Sequence, residues 1–385
     1  MKQAFLNLPE QRRFRVALSV FFFISGIRFA TWACRIPDIQ NMLHLNNAGL
    51  GAVLLALPVG SLSGLPISGY LVTKYGSRKM LLVSALTLPI PMIGIGLSVN
   101  SYLLAVNLFL FGLTGNLLNI SVNTQAVAVE KIYGRSIMAS FHGLWSLGGF
   151  SGAAFGTWMM TMHIVPLIHF CIVSVLCLGG MFLFYNHTIE DEVHKKKEAK
   201  AFNKPDVYLM VLGIIAFSSM VCEGTMFDWS GVYFDKVINV KEGLITLGYV
   251  AFMFTMASGR FLGDRLITNF GTTTVLRGSG IIIFTGLITS VLFPNIITAT
   301  IGFMLVGMGV SSVVPIAYAM AGKSKKLAPG AAIASVSSIG FLGFLLGPPL
   351  IGFIAQASSL RWSFTVIGCL GLVMFFMANK LPKQE

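Results

Sequence analysis

Charge is what this sequence has least of. Asp, Glu, Lys and Arg make up 11% of its 385 residues, against 55% hydrophobic residues, and the mean hydropathy is +0.80. A soluble domain carries about 25% charged residues, so this composition excludes an ordinary water-soluble globule. Cysteine is also sparse: Cys34, Cys171, Cys177, Cys222 and Cys369 lie in apolar stretches without a C-x-x-C pair. That excludes a disulfide framework and a thiolate metal site, and leaves the five as small core residues. There is no phosphate-binding G-x-x-x-x-G-K-[ST] loop, no H-E-x-x-H and no Cys/His ligand set. An ATP-driven pump and the familiar membrane hydrolases are thereby set aside. We expect no enzyme activity, no metal and no cofactor.

What is present is long apolar runs. A helix crossing a hydrocarbon core of roughly 30 Å needs about 20 apolar residues, and twelve such spans can be placed, from 14–36 to 360–379, with the fifth at 136–161 and the seventh at 206–234. The expected fold is therefore an all-α membrane protein of twelve transmembrane helices in two pseudo-symmetric six-helix bundles. A basic N-terminal run leads into the first span without a small-residue cleavage site, so that span is expected to stay as a helix. The stretch His187 to Pro205 is the longest polar one. It divides the chain into an N-terminal bundle (1–187), a linker (188–205) and a C-terminal bundle (206–385).

The net charge of +13 would suggest nucleic acid if read alone, but its placement points to a bilayer. Most of the Lys and Arg fall in the termini or even-numbered loops, among them Arg12, Arg13, Arg15, Arg78, Lys79, Lys131, Lys323 and Lys326, against Lys236, Lys241 and Arg361 on the other side. This is the positive-inside pattern with both termini cytoplasmic. The two halves also repeat. Gly64 and Gly259, Gly76 and Gly271, Gly112 and Gly307, Gly148 and Gly343, and Gly152 and Gly347 are each 195 residues apart. Glycine at such positions lets helices approach closely in lipid, where packing drives association.

The loop after the second span reads Gly69-Tyr-Leu-Val-Thr73-Lys74-Tyr-Gly76-Ser-Arg78-Lys79. It resembles the signature loop of the major facilitator superfamily, G-x-x-x-D-R-x-G-R-R/K, with Thr73 in the place of the family's Asp and Thr268 at the matching place in the second half. Gly69, Thr73, Gly76, Arg78 and Lys79 are thus implied as a gating loop, with Arg260, Asp264 and Arg265 as its counterpart. Further segments are Trp32-Ala-Cys-Arg35-Ile-Pro37, His142-Gly143 with Ser146-Leu-Gly148, Glu223-Gly224 with Asp228-Trp229, and Gly347-Pro-Pro-Leu-Ile-Gly352. Together they resemble the YbjJ-type group of bacterial facilitators, distantly related to the fucose-permease branch. The resemblance runs end to end and implies a monomeric inner-membrane secondary transporter working by alternating access.

Ionisable residues inside spans are functional candidates, since each costs about 2.5–3.5 kcal/mol on insertion scales. Glu223 and Asp228 are the acids, and Arg28 and Arg35 the corresponding bases. The 195-residue offset maps Arg28 onto Glu223. Glu223 is read either as a proton-coupling carboxylate governed by Arg28 or as half of a structural ion pair between spans 1 and 7. Asp228 lies five residues on, about 140° around the helix, and is the second coupling candidate, with a gate or structural contact as its other reading. Arg28, Trp32 and Arg35, at i, i+4 and i+7, share one helix face expected to meet substrate. Asn116, Asn119 and Asn123 form a polar stripe that suits either a hydroxylated or amide-bearing solute or interhelical hydrogen bonds. Gln125, His142, Trp145 and Trp229 complete the substrate candidates. The function expected is import of a small polar organic solute (sugar-like, nucleoside-like or amino-acid-derived), with the proton gradient as energy source. Proton-driven efflux is the alternative, and a lipid flippase or a non-transporting sensor is the reading from another class. No nucleic-acid partner is expected.

Overall fold

The structure is a computed structural model that describes residues 9–134, 137–190, 206–324, 326–327 and 329–381; the side chains of Ala139, Asp264 and residues 329–331 lie outside that set. Most of the linker expected over 188–205 lies outside it too. The elements are α1 (Glu10–Ala33), α2 (Ile36–Met42), α3 (Asn47–Leu54), α4 (Ala56–Tyr75), α5 (Ser77–Thr87), α6 (Pro89–Gly96), α7 (Ser101–Tyr133), α8 (Met138–Thr161) and α9 (Pro166–Tyr185). They continue with α10 (Val207–Tyr233), α11 (Leu247–Phe270), α12 (Thr272–Leu292), α13 (Ile296–Val310), α14 (Val313–Ala321), α15 (Pro329–Ala357) and α16 (Leu360–Ala378). A π-helical turn over Phe234–Ile238 follows α10.

Helix starts follow local chemistry. Asn46, Asn100, Asp206, Asn295 and Ser359 each accept a backbone N–H of the first turn through the side chain, which satisfies donors that no intrahelical carbonyl can reach. Where a long stretch is broken, a proline with no N–H to give lies just beyond the break: Pro37 after Cys34–Arg35, Pro58 after Leu55, Pro89 after α5 and Pro315 after Ser311–Ser312.

Joined across these breaks, the described helices form the twelve stretches expected. Eleven are long and apolar enough to cross a membrane. The remaining one, α8, has the length, but its glycines, serines and His142 dilute its apolar content.

By internal contact the chain divides into two units, Met1–Ile39 with Ala56–Glu198 and Gln40–Leu55 with Ala199–Glu385. In the first unit α1 packs on α8 and α9, and α4 packs on α7. Leu18, Phe21 and Phe22 of α1, Leu81 and Ala85 of α5, Leu118 and Val122 of α7, and Met181 of α9 form its core. In the second unit α10 packs on α15 and α16, α11 on α13, and α12 on α13 and α16. The segment α3 packs there against α15, with a Cβ on Gly51 falling 2.7 Å from the carbonyl oxygen of Pro348.

The glycine repeat is physical. A Cβ on Gly112 would lie 2.1 Å from the Leu57 carbonyl oxygen and 2.9 Å from the Ser61 nitrogen; one on Gly307 would lie 2.3 Å from Phe252 O and 3.1 Å from Met256 N. Both glycines and both pairs of neighbours are 195 residues apart, so the same crossing is built twice. The turns match as well: Gly76 has φ 88° and ψ 150°, Gly271 φ 76° and ψ 154°, a region that side-chain-bearing residues rarely enter.

Candidate functional site

The candidates divide between the two units. In the first unit, Arg28 and Trp32 of α1 and Arg35 in the break after it are largely buried. The Arg28 guanidinium carbon sits 4.1 Å from the centre of the Phe111 ring, and Gly115 makes room for it, since a Cβ there would come within 2.6 Å of Nη2. Trp32 is 1% exposed. Arg35, 2% exposed, uses its whole fork: Nε donates to His169 Nδ1 (3.1 Å), Nη2 to the Ile164 carbonyl oxygen (2.7 Å) and Nη1 to Asp38. The cluster ties the break between α1 and α2 to the start of α9. His169 escaped the sequence reading, although a lone histidine in an otherwise apolar span was the available signal.

The asparagine stripe of α7 splits. Asn116 is buried, with Oδ1 lacking a hydrogen-bond partner among the described residues. Asn119 is exposed and Asn123 half-buried, and Asn123 Nδ2 donates to Asn119 Oδ1 at 2.7 Å. That leaves an amide donor on Asn119 and an acceptor on Asn123. Gln125 is committed elsewhere: it donates to Ser77 Oγ (2.8 Å) and Ile189 O (2.9 Å) and accepts from Ile189 N (2.9 Å). Its place is a buried clasp joining α5, α7 and the residues after α9. His142 is exposed, edge-on to Phe22 at 5.4 Å. Trp145 is half-buried, tilted against Phe29 at 6.2 Å.

In the last turns of α4, Thr73 Oγ1 donates to the Gly69 carbonyl oxygen at 2.8 Å. It therefore acts within its own helix, where the family pattern has an acid. Arg78 pairs with Glu190 and stacks over Tyr185, and Lys79 is exposed.

In the second unit, Glu223 on α10 is 7% exposed and meets Arg260 of α11 at 3.4 Å. Within this unit the carboxylate's ion-pair partner is Arg260, which the sequence placed in the latch. Tyr318 of α14 lies within electrostatic reach of Glu223. Asp228 is half-buried, with no hydrogen bond or ion pair among the described residues. Trp229 beside it is fully buried, its Nε1 without a partner among those residues. Arg265 is exposed, and the Asp264 side chain lies outside the described residues. Among the described residues no three His, Cys, Asp or Glu side chains gather as a metal ion requires.

Two units that repeat one glycine framework, each with polar groups set into membrane-length helices, are what a two-bundle transporter requires. The sequence agrees: the model of the Major Facilitator Superfamily matches residues 17–326 and 251–384. The chain belongs to that superfamily. An uncharacterized MFS-type transporter of Yersinia pestis is 34% identical to this facilitator over 364 residues, covering 94% of each chain. Membrane protein MosC of Rhizobium meliloti is 30% identical, covering 95% of this chain and 89% of MosC. Among solved structures, the nucleoside transporter NupG matches with a TM-score of 0.74 at 12% identity, covering 97% of this chain and all of NupG. That likeness concerns the fold. As a facilitator, this protein is a multi-pass membrane transporter.

Proposed function

We propose that this facilitator imports a small polar organic solute across the bacterial inner membrane by proton-coupled symport, working by alternating access as a monomer with both termini cytoplasmic. The observation that carries the reading is the Glu223–Arg260 pair at 3.4 Å, set into two membrane-spanning helices of one unit. A charged pair in so dry a place persists only while both partners keep their charge. Protonating Glu223 removes that attraction to Arg260, so proton occupancy and the packing of α10 on α11 become one variable. A symporter needs such a link between a proton and a two-state element.

Asn119 and Asn123 supply the solute-facing chemistry. Their mutual hydrogen bond fixes both amides and leaves one donor and one acceptor, which suits a hydroxyl- or amide-bearing solute. NupG, of like fold, is a nucleoside transporter. The test is made in proteoliposomes under an imposed pH gradient, with sugars, nucleosides and amino-acid derivatives as solutes. Glu223→Gln is expected to abolish uphill, gradient-driven uptake while retaining solute exchange at equal pH. Full uphill uptake by Glu223→Gln would refute the coupling assignment.

A further inference from the structure

Arg28 poses a problem that its own unit does not solve. Its Nε and Nη1 are buried, and neither has a hydrogen-bond partner among the described residues. The acids described in the first unit are occupied or remote: Asp38 pairs with Arg35, Glu190 with Arg78, Glu130 accepts the backbone N–H groups of Ile137 and Met138, and Glu10 opens α1. The Phe111 ring answers one face of the guanidinium. The N–H bonds, however, lie in the guanidinium plane, and a ring below the plane cannot accept them.

The space beside Arg28 is bounded by α1, α5, α6 and α9, and its volume is about 10 Å3, room for roughly one water-sized group. Its polar lining consists of Arg28, Ser174 and Cys177; the rest is aliphatic side chain and methionine. Ser174 is 3% exposed, and its hydroxyl also lacks a partner among the described residues. Three residues that can donate thus line one small cavity, and no carboxylate lines it among the described residues.

We propose that this cavity is a binding site for a single monatomic anion, chloride under ordinary conditions, held by Arg28 Nε and Nη1 and by the Ser174 hydroxyl. Four physical points select that occupant. It must accept hydrogen bonds from every side, and a halide is an acceptor without direction. It must carry a negative charge, because a water molecule would leave a bare guanidinium among apolar helices. It must be small, which excludes phosphate, sulfate and any carboxylate-bearing solute. The guanidinium is weakly hydrated, which matches chloride and bromide better than strongly hydrated anions. A halide is a little larger than water, an increment that the flexible thioethers of Met92 and Met181 in the cavity wall absorb. Arg28 is then an internal anchor of the first unit, its charge neutralised by a bound ion.

The test uses the purified full-length chain in detergent, melted in sodium chloride, sodium bromide or sodium gluconate at matched ionic strength. Chloride and bromide are expected to raise the midpoint saturably over gluconate, as any ligand of the folded state does. Ser174→Ala should raise the half-saturating halide concentration about tenfold, the loss of one hydrogen bond to an ion, and Arg28→Gln should remove the halide response. Crystals grown in bromide should show an anomalous peak in contact with Nε and Nη1 of Arg28. Equal melting of the wild type in chloride and gluconate overturns the proposal, as does a bromide-grown crystal with water at the site. Should Arg28→Gln fail to fold, Ser174→Ala and the wild-type bromide crystal decide: an unchanged halide response in Ser174→Ala, or no peak, also overturns it.

Discussion

Substituting alanine at Gly112 and Gly307 tests whether the two units are built on the same crossing. A Cβ at Gly112 would lie 2.1 Å from the Leu57 carbonyl oxygen, and ordinary contact begins at 3.4 Å. The difference, 3.4 less 2.1, requires α7 and α4 to part by about 1.3 Å along that line. A radial gap of 0.5–1 Å already forfeits roughly a quarter to a half of each dispersion contact. Overpacking of this kind costs about 1–3 kcal/mol, while the better helix propensity of alanine returns up to about 1 kcal/mol. A net loss of about 1–2 kcal/mol is expected. At Gly307 the nearest atoms, Phe252 O and Thr255 Oγ1, stand at 2.3 Å, so the loss should be of similar size. Gly179 of α9 supplies the contrast, since nothing lies within 4 Å of a Cβ there and Gly179→Ala should be neutral or stabilising. The measurement is the midpoint of unfolding in mixed micelles as the fraction of SDS is raised. If Gly112→Ala and Gly307→Ala unfold at the midpoint of Gly179→Ala, close helix approach through these glycines is not what holds the bundles.

The remaining predictions concern single residues and are read in the same unfolding experiment. Arg35→Lys keeps the charge but cannot reach His169, Asp38 and the Ile164 carbonyl oxygen together; we expect a loss of about 2 kcal/mol or more, and a wild-type midpoint would show that the fork is not needed. Gly76→Ala and Gly271→Ala place a Cβ at φ 88° and φ 76° with ψ 150° and 154° and should each cost roughly 1–3 kcal/mol, the two values agreeing because the turns share one conformation. Unequal losses would mean that the turns differ in what surrounds them.

How much of this was legible in the sequence depended on the kind of information needed. Helix number and the glycine repeat were readable because each rests on local or self-referential pattern: an apolar run of bilayer length, or one residue type recurring at a fixed offset. Partners across helices were not. Glu223 could be singled out as an acid in an apolar span, but its pairing with Arg260 depends on which faces of α10 and α11 meet, and nothing within either helix encodes that. Gln125 looked like a solute ligand until its amide was found joining Ser77 to Ile189. Pro58 stands just beyond the break at Leu55, but proline is tolerated inside membrane-spanning helices, so the second span read as one helix over 47–74. His169 was passed over because its partner, Arg35, lies 134 residues away.

The same offset that reveals the repeat also shows where the two halves part. It pairs Arg28 with Glu223, and it pairs Arg260, the partner of Glu223, with Leu65. The first unit therefore has no acid or base where the second has Arg260, and an ion pair like that of the second unit cannot form there. Arg28 turns instead onto α7, over Phe111 and against Gly115. Duplication thus preserved the backbone crossings, which need only small residues at fixed places, and released the polar positions to diverge. One unit holds the Glu223–Arg260 pair. The other kept a fixed cation, which a chain inside lipid can retain only if something neutralises it.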